Sequence, residues 1–436
     1  MTQIWSFLPV LVRDLTLLIL LLLPALAITT QLLRGHKPLK LSAALLRAQA
    51  GTVLGFAILI GVSLAIGVSL IAQERSLRIG AAKAAEKFEL VIGAPGSETN
   101  LMFSSVFLQP NAIGLLNGEV FSEVSNHERA KIVAPIALGD SHQGATIVGT
   151  TAGFVIHLGG LSEGQMWSNS LQAIAGADAP IDIGARFAPA HGHGTDANEN
   201  AHEDVLLELT GRLVRTNSPW DRAILVPVES VWETHGLANG HAPERQGQLG
   251  PPFDAEFFPG VSAAIVIADG LSGTYQIQSD FSVDKRTMAI LPGAVLGGLY
   301  RILGDVRGVA SLLTWFSLGL VAIAVLAGLA ILTRLFTRHL AVLRALGAPI
   351  RFITATVWGF SAAVLLLGTI IGVFGALLSV IGLSALISGH TGISLPARFG
   401  WTELHLISGF LSLSFAVAWL FSNRMAETAR PELLRS

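Results

Sequence analysis

The chain has 436 residues, 51% of them hydrophobic and only 13% charged, with a mean hydropathy of +0.61. This composition excludes an ordinary soluble domain and points to an integral membrane protein. The net charge of −2 hides two opposite parts: residues 74–305 carry 14 Lys and Arg against 26 Asp and Glu, or −12, and the remainder carries 14 against 4, or +10. There is no cysteine, so disulfides, thiol chemistry and Cys-ligated zinc are excluded.

Taken from the N-terminus, residues 1–48 comprise a hydrophobic segment and a basic loop. Residues 15–33 are apolar enough to insert, and Ala25-Leu26-Ala27 resembles a signal-peptidase site. Cleavage there would leave the basic 34–47 stretch outside, against the loop charges, and Asp14 cancels Arg13. The segment therefore reads as a retained extra span, with a helix lying in the membrane interface as the alternative. Residues 50–73, 308–333, 352–389 and 404–423 contain no Lys, Arg, Asp or Glu. Each is long enough for a membrane helix, which needs roughly 20 apolar residues. These runs predict membrane helices over 49–73, 306–333, 352–389 and 404–423, a large domain over 74–305, a loop over 334–351, a short loop over 390–403 and a tail over 424–436. The fold class expected is an integral membrane α-helical bundle, four core helices plus an extra N-terminal one, with a large α/β domain inserted after the first core helix.

Lys and Arg in short loops mark the cytoplasmic side. Arg34, Lys37, Lys40 and Arg47 lie before the first core span, and Arg334, Arg338, Arg344 and Arg351 follow the second. The tail has Arg424, Arg430 and Arg435, whereas 390–403 has only Arg398 and Glu403. All three basic segments share one side if 74–305 and 390–403 occupy the other, which puts the acidic domain outside. In that domain, 88–93, 144–150, 205–214, 223–228, 263–268 and 274–279 read as strands from β-branched or alternating apolar residues. Residues 99–107, 119–131, 165–176 and 229–236 read as helices, and 236–260 reads as a loop.

LVIGAPGSETNLMFSSVF (90–107) followed by IALGDSHQGATIVGTT (136–151) resembles the start of the periplasmic domain in FtsX/MacB-type ABC transporter permeases. LAVLRALGAPIRFI (340–353) resembles their cytoplasmic coupling segment, and ARPELLR (429–435) their closing motif. The resemblance runs from about residue 45 to the end; the extra N-terminal span departs from the four-span pattern. It implies a permease subunit in the cell inner membrane, multi-pass, with its large domain in the periplasm. It also implies a separate ABC nucleotide-binding subunit, a second permease copy or a related permease, and a periplasmic binding protein as partners. The alternative within the same family is a non-transporting regulator of a periplasmic enzyme.

The residues of the coupling segment agree. Leu340, Leu343, Leu346 and Ile350 recur at helical spacing, Arg338, Arg344 and Arg351 lie among them, and Gly347-Ala348-Pro349 breaks the helix. Such an element suits a groove on a soluble partner, or equally the surface of anionic membrane lipid. The resemblance favours the groove, with Leu340, Leu343, Arg344, Leu346 and Gly347 as the ATPase-coupling residues. No Gly-Lys dipeptide occurs anywhere, so the phosphate-cradling loop of a P-loop ATPase is absent. ATP would act through the partner subunit, and no catalytic residue is expected in this chain. The acidic domain also excludes a basic nucleic-acid surface.

One tract in the domain has ligand chemistry. His191-Gly-His193-Gly-Thr-Asp196-Ala-Asn-Glu199-Asn-Ala-His202-Glu203-Asp204 crowds imidazoles and carboxylates, both suited to Zn²⁺, into a glycine-bearing stretch. His191, His193, His202, Asp196 and Glu199 are the candidate ligands; the alternative is a solvated acidic loop with incidental histidines. A subset of FtsX/MacB-like permeases linked to envelope zinc handling has similar His-rich insertions, and 221–236 resembles the segment that follows them. His142 and His235 are further candidates that read first as structural histidines. The spans lack intramembrane charge, which argues against a hydrophilic ion path. The mode this implies is mechanotransmission, in which motion at the cytoplasmic loops moves the outer domain.

Overall fold

A computed structural model of the chain describes residues 9–35, 38–192, 205–301 and 337–428, with single positions at 312, 316, 319 and 323. In chain order the helices are α1 (Val10–Leu33), α2 (Leu39–Ala48), α3 (Ala50–Ala84), α4 (Glu98–Ser105), α5 (Gly118–Ser125), α6 (Ala152–Leu158), α7 (Val228–Thr234), α8 (Leu271–Val283), α9 (Thr337–Ala345), α10 (Ile350–Thr391) and α11 (Trp401–Thr428). The strands are β1 (Leu90–Gly93), β2 (Ala130–His142), β3 (Ala145–Thr150), β4 (Leu161–Gly164), β5 (Gln172–Ala175), β6 (Arg186–Phe187), β7 (Ala190–His191), β8 (Leu207–Leu213), β9 (Ile224–Pro227), β10 (Ala263–Ala268) and β11 (Met288–Ile290). The residues fall into two units: 1–76, 304–385 and 396–436 form one, and 77–303 with 386–395 form the other.

The first unit is helical. Among the described residues four helices, α1, α3, α10 and α11, are long and apolar enough to cross a membrane. The expected N-terminal segment is thus one continuous helix, and it packs along α11: His405 Nε2 meets the Asp14 carbonyl at 2.9 Å, and Ser412 Oγ donates to the Leu21 carbonyl. Close approach of α3 and α10 rests on glycine. A Cβ on Gly368 would stand 2.7 Å from the Ile60 side chain, and one on Gly372 2.9 Å from that of Leu64. Small residues four apart let two backbones pack where lipid offers no hydrophobic drive to associate. Apart from the single positions 312, 316, 319 and 323, the predicted span over 306–333 lies outside the described residues, as does the closing motif at 429–435.

The second unit is built on a mixed sheet in the order β11-β1-β10-β2-β3-β9-β5-β8-β4, with β6 paired to β8 and β7 to β2. Most pairs are antiparallel, but β3 with β9 and β5 with β8 run parallel. Its central strands are apolar on both faces because both are covered. Along β10, Ala263, Ile265 and Ile267 enter one core while Ala264, Val266 and Ala268 enter the other. Phe88, Phe154 and Trp220 cluster in the first core; Phe121, Trp232, Phe253 and Phe258 cluster in the second. Two buried indoles find acceptors, Trp220 Nε1 at the Val106 carbonyl and Trp232 Nε1 at the Gly260 carbonyl.

Three local expectations differ from the structure. Residues 274–279 lie within helix α8, where Thr274, Ile277 and Phe281 are buried at helical spacing. Within 165–176, residues 172–175 form strand β5, held between β8 and β9, with Ala173, Ile174 and Ala175 buried. The helix expected over 119–131 ends at Ser125, and Ala130 already opens the 13-residue strand β2.

Candidate metal centre

Strand β2 is long enough to pair with β10 at one end and with β7 at the other. The β2–β7 register sets Asp140 opposite His191 and Ser141 opposite Ala190. Directly opposed residues in an antiparallel pair share a face of the sheet, so this two-residue strand brings the imidazole to the carboxylate. The register is pinned beyond β7: Gly192 N–H donates to the Gly139 carbonyl at 3.1 Å, and Ser141 Oγ donates to the Gly192 carbonyl at 2.7 Å.

The third group comes from α7. This helix follows β9 at once, buries Val228, Val231 and Trp232, and has His235 as its C-cap. Gly236, at φ +68°, closes it, and Leu237 N–H donates back to the Trp232 carbonyl at 2.9 Å. A residue with a Cβ is strained in that left-handed conformation, so glycine fixes where the helix stops and where His235 stands. His235 Nδ1 donates to the Val231 carbonyl at 2.8 Å. In the neutral ring this bond places the proton on Nδ1 and makes Nε2 the nitrogen that carries the lone pair, the tautomer that metal-binding histidines commonly use.

Three atoms then converge. Asp140 Oδ1 lies 3.3 Å from His191 Nδ1 and 3.5 Å from His235 Nε2, and the two ring nitrogens are 3.5 Å apart. These separations are long for N–H···O bonds, whose lengths centre near about 2.9 Å. They match the edge of a tetrahedron around zinc, about 3.4 Å for bonds of about 2.0–2.1 Å. Two imidazoles and one carboxylate suit zinc and its first-row neighbours better than Ca²⁺ or Mg²⁺, which take oxygen ligands. The Asp140 side chain is 3% exposed and that of His191 is 60% exposed. A buried carboxylate therefore forms the floor of the site, and an open imidazole its outer wall.

Of the tract histidines and acids expected as ligands, His191 is in the site; His193, Asp196, Glu199 and His202 lie outside the described residues. His235, expected to be structural, is a member of the triad. His142 is not: its ring packs against that of Phe187, centroids 4.8 Å apart and planes tilted by 42°. Asp140 was not legible as a candidate, because nothing in GDSHQG tells which strand will pair with it. In the helical unit, Leu340 is 3% exposed and packs with Ile353, Val357 and Ala426, Leu343 lies against that cluster, and Leu346 is 80% exposed. Arg344 reaches the Ala426 carbonyl at 3.4 Å, and Gly347 ends the helix at φ +94°. The expected coupling face thus divides into a seated part and an exposed part.

No protein-family model matches the chain, and no curated protein does. Among solved structures, the periplasmic region of MacB from Actinobacillus actinomycetemcomitans is similar: 10% identity over 49% of this chain and 95% of that one, with a TM-score of 0.30. The extracellular domain of the noncanonical ABC-type transporter YknZ from Gram-positive bacteria is also similar, with 11% identity over 47% of this chain and 98% of that one and a TM-score of 0.27. At these identities and scores, what the chain does is read from its own residues.

Proposed function

We propose that this chain is the membrane subunit of an ABC-type system of the FtsX/MacB kind. In this reading its acidic domain is outside the cytoplasm and binds zinc, and its basic 334–351 segment receives a separate ATPase. The observation that carries the zinc reading is the triangle of Asp140 Oδ1, His191 Nδ1 and His235 Nε2 at 3.3–3.5 Å. The membrane assignment is supported by four helices of spanning length, and the orientation by the basic residues gathered in 34–47, 334–351 and the tail. The sequence has no P-loop, which supports a partner as the source of ATP hydrolysis. Zinc bound here would hold β2, β7 and the end of α7 together, and ATP-driven movement of the domain would act on a metal-loaded head.

The test is zinc titration of the full chain in detergent at pH 7.5. Wild type should bind zinc at micromolar or lower concentration. Asp140→Asn and His235→Ala should each lose about 10-fold or more in affinity, the scale of a lost ligand or its support. His142→Ala should bind as wild type does. Absence of zinc binding, or binding unchanged in both ligand variants, would refute the metal reading while leaving the membrane and ATPase assignments standing.

A further inference from the structure

The second unit contains a cleft of about 520 Å³ whose walls include Lys131, Thr150, Trp167, Glu229 and Leu249. Glu229 belongs to the first turn of α7. Its side chain is 1% exposed, and that of the neighbouring His241 is fully buried. Oε1 of Glu229 accepts the Gly250 N–H at 2.6 Å and faces His241 Nε2 at 3.4 Å. Oε2 is buried without a hydrogen-bond partner, and so are Thr150 Oγ1 and His241 Nδ1. A folded protein rarely leaves one buried polar atom unpaired, because each forfeits its bonds to water. Here two such atoms, one of them on a carboxylate, belong to residues lining the same cleft, and the third belongs to the carboxylate's neighbour.

We infer that this cleft binds a small organic cation, a protonated primary amine on an apolar body. The ammonium meets Glu229 Oε2 and Thr150 Oγ1, and the body lies along Trp167 and Leu249. An ammonium brings three donors and no acceptor, which answers two unpaired oxygens at once. Its charge also answers the buried carboxylate. Burial pushes the Glu229 carboxyl above the usual carboxylate range, against the opposing pull of Gly250 and His241, and a cation at this point favours the ionised form. An anionic ligand would meet that carboxylate with like charge; Lys131, also on the cleft wall, is exposed to solvent, where its charge is screened. Trp167 supplies a face for the apolar body and for a cation–π contact. This site is separate from the metal triad, and Glu229 is none of its ligands.

Equilibrium dialysis of the full chain in detergent, with empty micelles subtracted, tests the inference. The probes are phenethylammonium and phenylacetate, similar aromatic bodies of opposite charge. The amine should bind saturably at one equivalent and at least about 10-fold more tightly than the acid, a ratio that one charge-assisted contact supplies. Glu229→Gln should lose about 10-fold or more of the amine affinity while keeping its zinc binding. Where Glu229→Gln does not fold, Thr150→Val replaces it, with a loss of about threefold. No saturable amine binding, equal affinity for the two probes, or wild-type affinity in the variant would overturn the inference. None of these results would touch the zinc reading.

Discussion

His235 shows how one hydrogen bond prepares a side chain for a role its sequence neighbours do not announce. Its Nδ1–H donates to the Val231 carbonyl at 2.8 Å, and Gly236 stops α7 so that the ring stays beside Asp140. Six residues earlier on the same helix, Glu229 sits under a different constraint. Burial raises its folded-state pKa, so the ionised form is the disfavoured one. The resulting penalty is absent below the ordinary carboxylate pKa of about 4.3. It grows as pH rises from there through the folded value, and is constant above it. Replacing Glu229 by Gln removes that penalty and keeps an oxygen for the Gly250 N–H. Thermal unfolding of the full chain, followed without amine, should therefore show Glu229→Gln gaining stability relative to wild type as pH is raised from 4.5 to 8. Parallel curves for the two proteins would show that Glu229 ionises in the fold without cost.

At the scale of elements, α9 is the informative case. The spacing of Leu340, Leu343 and Leu346 gave three equivalent apolar positions, but the structure seats Leu340 against Ile353, Val357 and Ala426 and leaves Leu346 at the surface. Leu346→Asp should therefore release the proposed ATPase subunit while the chain remains folded. Leu340→Asp buries an unpaired charge, which costs several kcal/mol, about 3 or more, and should unfold the helical unit or lose expression. Co-purification of the ATPase with each variant checks this. Full retention by Leu346→Asp would remove the 340–353 segment as the docking element.

The same contrast between local pattern and tertiary placement explains what the sequence did and did not reveal. AAIVIA at 263–268 is a strand buried on both faces, and its apolar run shows this without ambiguity. TYQIQS at 274–279 alternates like a strand over six residues. Only the later Phe281, in step with Thr274 and Ile277, reveals the helix. The 165–176 stretch reads as helix, but pairing with β8 and β9 draws residues 172–175 into the sheet. Of the three residues of the proposed metal site, only His191 was legible as a ligand. His191 lies in a tract whose composition shows its chemistry, whereas Asp140 is 51 residues away and His235 44. Their meeting depends on a two-residue strand and a helix end, and neither leaves a sequence signature of its own.

At the scale of the whole molecule, one feature of the sequence organises everything else: 26 of the 30 acids lie in 74–305, which carries −12, and the segments outside it carry +10. Lys and Arg resist transfer across the membrane, so this division sets which side each segment occupies. In the proposed orientation the Asp140–His191–His235 triangle is outside and α9 inside, the separation that an ATP-driven metal-binding head would require. Reporter fusions test this most directly. A reporter active only outside the cytoplasm should be active when inserted near residue 200 and silent when inserted near residue 345. Silence at 200 with activity at 345 would contradict the orientation, and with it the assignment of a cytoplasmic ATPase to α9 and of an external zinc site to the head.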